Sequence, residues 1–158
     1  MHGSHGQAAD DRRAVRVSTK PLVSIPSQNR RGKLVRFTGL YSAFIAVWLL
    51  SALPVVSTLH AAEWMHFVLL LVVLGSGTLA FAPSRDQRLA CAAARVLWVL
   101  GVVMFIRHVA GASEFAWAEA GPAVIISHGL VLSLWASVIT SATLVLWRDH
   151  AARTREGG

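Results

Sequence analysis

Between Phe37 and Trp147 the chain runs for 111 residues with only four basic and four acidic side chains. A helix of a water-soluble bundle needs a polar stripe on its outer side, and this stretch has too few polar residues to supply four of them. Lipid removes the requirement, because it accepts an apolar outer face. A hydrocarbon layer of about 30 Å takes about 20 helical residues to cross, so the stretch has room for four spans with short connections. Strands are a poor alternative, since runs such as FVLLLVVLG and TLVLW do not alternate apolar with polar. Backbone groups in lipid must be paired internally, which leaves helices.

Four apolar runs fit: TGLYSAFIAVWLLSALPVVSTL (38–59), WMHFVLLLVVLGSGTLAFA (64–82), LACAAARVLWVLGVVMFI (89–106) and PAVIISHGLVLSLWASVITSATLVLW (122–147). The expected fold class is therefore an all-α membrane protein, with four transmembrane helices in an antiparallel bundle. Pro54 should kink the first helix or end it early, because it lacks an N–H donor. Pro83 should stop the second, with PSRDQR as a tight polar turn. Pro122 suits a first helical position. Residues 1–36 carry Gly, Ser, Gln, Pro and charges without apolar periodicity, and read as a disordered basic tail. Residues 148–158 read as a second short tail.

Composition agrees: 54% of residues are hydrophobic, mean hydropathy is +0.54, and charged residues are 15%, against about 25% in ordinary soluble domains. The formal charge of +7 would suggest nucleic acid in a soluble protein. Here the basic residues flank the spans, which accounts for them without that partner. Cys91, the single cysteine, cannot form an internal disulfide.

Orientation follows the Lys and Arg count beside each span. With the N-terminus inside, fourteen of the fifteen basic residues fall on the cytoplasmic side and one, Arg107, outside. Both termini are thus expected in the cytoplasm, with the chain in the cell inner membrane. The 36 residues before the first span are long for a signal-peptide leader region, so that span is read as uncleaved. Arg30, Arg31, Lys33 and Arg36 would lie against anionic lipid headgroups, at about 1 kcal/mol each. Arg95, six residues past Leu89, would snorkel toward the same headgroups.

The fourth run carries Gly129, Ser133, Ser137 and Ser141 at intervals of four. They share one helical stripe, and small residues with hydroxyls let a second helix approach closely and bond across the contact. That helix belongs to the same bundle, to a partner membrane protein or to another copy. Ala90, Ala94 and Gly101 of the third run, and GSG at 75–77, offer surfaces of the same kind.

HAAEWMH at 60–66 places two histidines and a glutamate between apolar runs. With the termini inside, His60, Glu63, His66, Arg107, His108, Glu119 and His128 gather toward the outer face. This is the one polar cluster of the membrane domain. Haem would need two imidazoles at similar depth, as His66 with His108 or His108 with His128. Zinc would need three or four ligands. A proton relay would need a histidine beside a carboxylate. No H-x-x-x-H pair within a span and no C-x-x-C-H spacing marks any of these, so no cofactor is assigned and interfacial or packing roles are expected. His128 lies deepest. His2 and His5 could touch a transition metal, but nothing near them completes a site. The loop at 109–121, VAGASEFAWAEAG, would lie as a short interfacial helix with Phe115 and Trp117 in lipid.

The stretch WLLSALP followed by EWMHF resembles the first two spans of the VanZ-like membrane proteins. Their later glutamate–glutamine motif and arginine-containing loop have no counterpart after Ala82, so nothing is carried across.

No phosphate-binding glycine loop, dinucleotide fingerprint or nucleophile elbow is present. The expected function is a non-catalytic accessory or scaffold subunit working through helix–helix contacts. The alternatives are a haem- or metal-binding redox protein using the outer histidines, and a small oligomeric transporter using Arg95 or His128.

Overall fold

The computed structural model describes residues 26–56, 62–82, 85–113 and 121–156, with backbone alone at 26–28, 53–56, 62–63 and 156. Those residues form four helices: α1 Pro26–Val56, α2 Ala62–Phe81, α3 Gln87–Ser113 and α4 Pro122–Glu156. Each is long and apolar enough to cross a membrane.

Three of the helices exceed the bounds that hydropathy suggests. α1 begins at Pro26, so 26–36 is helical and not tail, while residues 1–25 lie outside the described part. Proline at a first helical position loses no bond, since the N–H it lacks would be unpaired there. The helix runs unbroken through Gly32 into the apolar run. α1 also carries through Pro54 to Val56. At about 1.5 Å per residue its 31 residues measure about 46 Å, well beyond the hydrocarbon thickness. α3 runs to Ser113, so 109–113 extends that helix and is not a separate interfacial one; the rest of that loop, 114–120, lies outside the described residues. α4 continues through the expected C-terminal tail to Glu156. Hydropathy reports where lipid ends, whereas helical hydrogen bonding needs only the absence of a breaker.

The turn between α2 and α3 closes on Ala82, whose carbonyl accepts from the N–H groups of Arg85 at 3.0 Å and Asp86 at 3.1 Å. Asp86 then caps α3: its Oδ1 accepts from the Leu89 N–H at 3.0 Å.

The interior is built from small and medium side chains. Ala46, Val72, Leu79, Ala94, Leu134, Val138 and Ala142 are buried, and Trp135 fills the space among them. Trp48 and Trp98, also mid-span, face outward. Ser42, Ser76 and Ser141 are buried as well. The outside is the greasier side: Phe37, Phe44, Phe67, Leu74, Val96 and Ile106 are all more than half exposed. Large apolar groups outside and alanines inside suit a bundle surrounded by lipid.

α1 and α4 pack against each other. Arg31 lies 3.9 Å over the Trp147 ring, Ser42 meets Ser137 at 2.6 Å, and Tyr41 meets Ser133 at 3.1 Å. Gly39 lets α1 close on the Ala80 turn of α2, where an added Cβ would come within 3.1 Å of the Ser76 carbonyl oxygen.

Candidate functional site

The helix ends opposite the chain termini border a cavity of about 300 Å³ among the described residues. α3 contributes Met104, Arg107, His108, Gly111 and Ala112, α4 contributes Val124 and His128, and α2 contributes Met65. The spacing explains the convergence. Met104, His108 and Gly111 recur at helical intervals of four and three and so share one face of α3, as Val124 and His128 share one face of α4. α3 and α4 bring these two faces together, and the first turn of the apolar run on α2 closes the third side.

Inside the cavity the His108 and His128 rings stack, with centroids 4.5 Å apart and planes 23° from parallel. Both histidines are half-buried and Arg107 is exposed. Gly111 faces open space, with nothing within 4 Å of a Cβ built on it. The walls are otherwise methyl groups and thioethers, so the site is an apolar cleft with a paired imidazole and one guanidinium at its edge.

Of the outer polar cluster, then, Arg107, His108 and His128 come together. His66 sits half-buried on α2, beside Met65 but off the cavity wall. Glu63 falls in the first turn of α2, and His60 and Glu119 lie outside the described residues. Met65 and Met104 carry no signal in the sequence: each sits in an apolar run where methionine reads as core. Only the helix packing shows that they border the same space.

The arrangement does not suit haem between His108 and His128. Axial imidazoles stand on opposite sides of the macrocycle, and two rings in face contact leave no room for it. Among the described residues no three His, Cys, Asp or Glu side chains converge, as a zinc-type site would require.

Elsewhere, Ser133 and Ser137 bond to α1 and Ser141 is buried within the bundle. Gly129, the fourth member of that stripe, is exposed with nothing within 4 Å of an added Cβ. Arg30, Lys33, Arg36 and Arg95 are exposed, and Arg31 covers Trp147. Among the described residues the fully buried polar side chains are Ser42, Ser76 and Ser141, and Arg95 is exposed.

A scan of protein-family models, a search of curated proteins and a search of solved structures each return no match to this chain.

Proposed function

We propose that this chain is a multi-pass protein of the cell inner membrane, an antiparallel bundle with both termini cytoplasmic, which binds a small ligand in its outer cleft without catalysing a reaction. The membrane assignment is supported by four helices long and apolar enough to span and by the many large apolar side chains, among them Phe37, Phe44, Phe67 and Phe81, left exposed on the outside. Sidedness is supported by charge. The end formed by the α1 start, the 82–86 turn and the α4 end carries Arg30, Arg31, Lys33, Arg36, Arg85, Arg88, Arg148, Arg153 and Arg155, and the other end of the described helices carries Arg107. Anionic headgroups would hold the basic end in place. An impermeant thiol reagent should reach a cysteine placed at Ser113 in intact spheroplasts, and one placed at Arg155 only after lysis; the reverse pattern would refute the orientation.

The observation that carries the ligand reading is the cavity itself, which draws Arg107, His108 and His128 from two helices and closes against a third. Apolar walls with a few convergent polar groups are the usual form of a small-molecule site. Gly111→Trp tests it, because the indole would fill the cleft from a position that faces open space. Native mass spectrometry of protein gently extracted from its own membrane should show a bound species that this variant lacks. Identical spectra from both proteins would refute the reading.

The accessory-subunit reading keeps one supporting observation. Ile125 and Gly129, four residues apart on one side of α4, are exposed, a face that a partner helix would bury. A stoichiometric partner lost on Gly129→Leu would favour it.

A further inference from the structure

We propose that the outer cleft holds an anionic lipid of the outer leaflet, its phosphate head against Arg107 and an acyl chain along the cleft's apolar walls. The proposal rests on the cleft being a ligand site and names its ligand.

Depth is the first argument. From Gln87 to Arg107, α3 rises about 30 Å at 1.5 Å per residue, the thickness of the hydrocarbon layer. With the start of α3 at one boundary of that layer, beside Arg85 and Arg88, Arg107 lies at the other, level with lipid headgroups. Met104 lies about one turn deeper, level with the first part of an acyl chain.

Charge is the second argument. Arg107 is the one basic residue at its end of the described helices, the end where positive charge has no topological use. An ion pair does not account for it either. Among the described residues the arginine that pairs with a carboxylate is Arg153, with Asp149, and no carboxylate lines the cavity. A guanidinium at the edge of hydrocarbon is less screened than one in bulk water, so it attracts an anion more strongly. Its planar fork also matches the oxygens of a phosphate. A zwitterionic head brings a cation that offsets this attraction.

Shape is the third. A cavity of about 300 Å³ stands at the lower limit for drug-sized ligands, with room for a headgroup and the first part of a chain. The remainder needs an apolar exit. Met65 and Val124 line the cavity, yet they are 37% and 46% exposed, so the chain can leave past them into the surrounding lipid. The flexible thioethers of Met65 and Met104 suit a chain with no fixed shape. A free phosphate ion would leave these walls without a partner, and a purely apolar molecule would leave Arg107 without one. The stacked rings of His108 and His128 form the wall where α3 meets α4, and their nitrogens are not needed for binding. The lipid binds and leaves unchanged.

The test uses the full chain in nanodiscs of phosphatidylcholine, with a trace of phosphatidylglycerol that carries a diazirine on its acyl chain near the head. After illumination the labelled peptides are mapped. The basic end also attracts anionic lipid, so labelling there is an internal control for fold and lipid access. Labelling is expected around Met65, from Met104 to Ala112 and around Val124, well above that given by the same diazirine on phosphatidylcholine. Unlabelled phosphatidylglycerol should suppress it and inorganic phosphate should not. Arg107→Gln changes an exposed side chain and should lower labelling of the cleft about 10- to 100-fold, the loss of one charge-assisted hydrogen bond, while labelling at the basic end persists. Equal labelling by the two probes, suppression by inorganic phosphate at the same concentration, or unchanged labelling of the cleft in Arg107→Gln would each overturn the proposal. If Gly111→Trp abolishes the labelling and Arg107→Gln leaves it intact, the cleft is a ligand site but not one for an anionic lipid. If Gly111→Trp labels as the parent does, the cleft reading itself fails.

Discussion

The Oγ atoms of Ser42 on α1 and Ser137 on α4 lie 2.6 Å apart, and each also lies within hydrogen-bonding distance of its own helix, Ser42 at 2.7 Å from the Thr38 carbonyl and Ser137 at 2.8 Å from that of Leu134. Two hydroxyl protons serve three contacts, so one serine donates to its own backbone and accepts from the other. Removing either hydroxyl lets the survivor fall back on its own carbonyl. Ser42→Ala and Ser137→Ala should each destabilise the bundle by about 0.5–1 kcal/mol, with a coupling of about 0.6 kcal/mol between them, the usual size in membrane helices. A double-mutant cycle by reversible unfolding in mixed detergent measures it. Strict additivity would mean that the two hydroxyls do not bond.

The glycines divide by what surrounds them. A Cβ at Gly39 would sit 3.1 Å from the Ala80 Cβ, 3.1 Å from the Ser76 carbonyl oxygen and 3.3 Å from the Ala80 nitrogen. Backbone cannot step aside, so Gly39→Ala should cost about 1–3 kcal/mol through overpacking. At Gly75 the obstacle is the Leu97 side chain and at Gly101 that of Ile139, each at 2.9 Å, and a side chain can turn. Alanine there should cost less than at Gly39. Gly77 and Gly129 meet nothing within 4 Å, so alanine should raise stability by up to about 1 kcal/mol through helix propensity. The same unfolding assay ranks all five, and a Gly39→Ala variant as stable as Gly77→Ala would contradict the α1–α2 contact.

The helical class and the number of helices were legible because lipid imposes a one-dimensional rule: about 20 apolar residues, few charges, then a break. Where that rule stops applying, legibility stops. The segment 26–36 looked like tail because its charges do not favour lipid, yet charge does not prevent a helix that starts on Pro26 and follows a neighbouring one. The region 109–113 misled in the same way. The stripe of Ser133, Ser137 and Ser141 was visible as a stripe, but which helix it met depended on α1, whose Tyr41 and Ser42 showed no special spacing. His108 and His128 could be placed toward the same end of the bundle by counting. Their pairing with Met65 and Met104 could not, because helix rotation decides which face points inward, and an all-apolar helix gives no amphipathic clue to its rotation.

Asp86 is the structural N-cap of α3. Its Oδ1 accepts from the Leu89 N–H at 3.0 Å, while its carbonyl accepts from the Ala90 N–H at 3.1 Å. Asp86→Ala leaves that N–H without its side-chain acceptor at the start of the helix and should cost about 1 kcal/mol, whereas Asp86→Asn, itself a good cap, should recover most of the loss. Hydrogen exchange at Leu89 provides the local readout: faster in the alanine variant, near parental in the asparagine one. Equal exchange in all three would show that the side chain does not cap.

Ser76 presents the opposite case to Ser42. It is fully buried, and among the described residues its Oγ has no hydrogen-bond partner. A buried hydroxyl left unbonded carries a desolvation cost of about 1–3 kcal/mol, and nothing in the described bundle explains a hydroxyl rather than a methyl here. Ser76→Ala removes the polar atom, keeps the small side chain that lets Gly39 approach, and opens a void of a single oxygen. It should therefore stabilise the bundle by about 1 kcal/mol, while the chemically identical change at Ser42 destabilises it. The unfolding midpoints of these two variants, measured side by side, decide the matter by their sign. A loss at Ser76 equal to that at Ser42 would mean that the Ser76 hydroxyl is bonded after all.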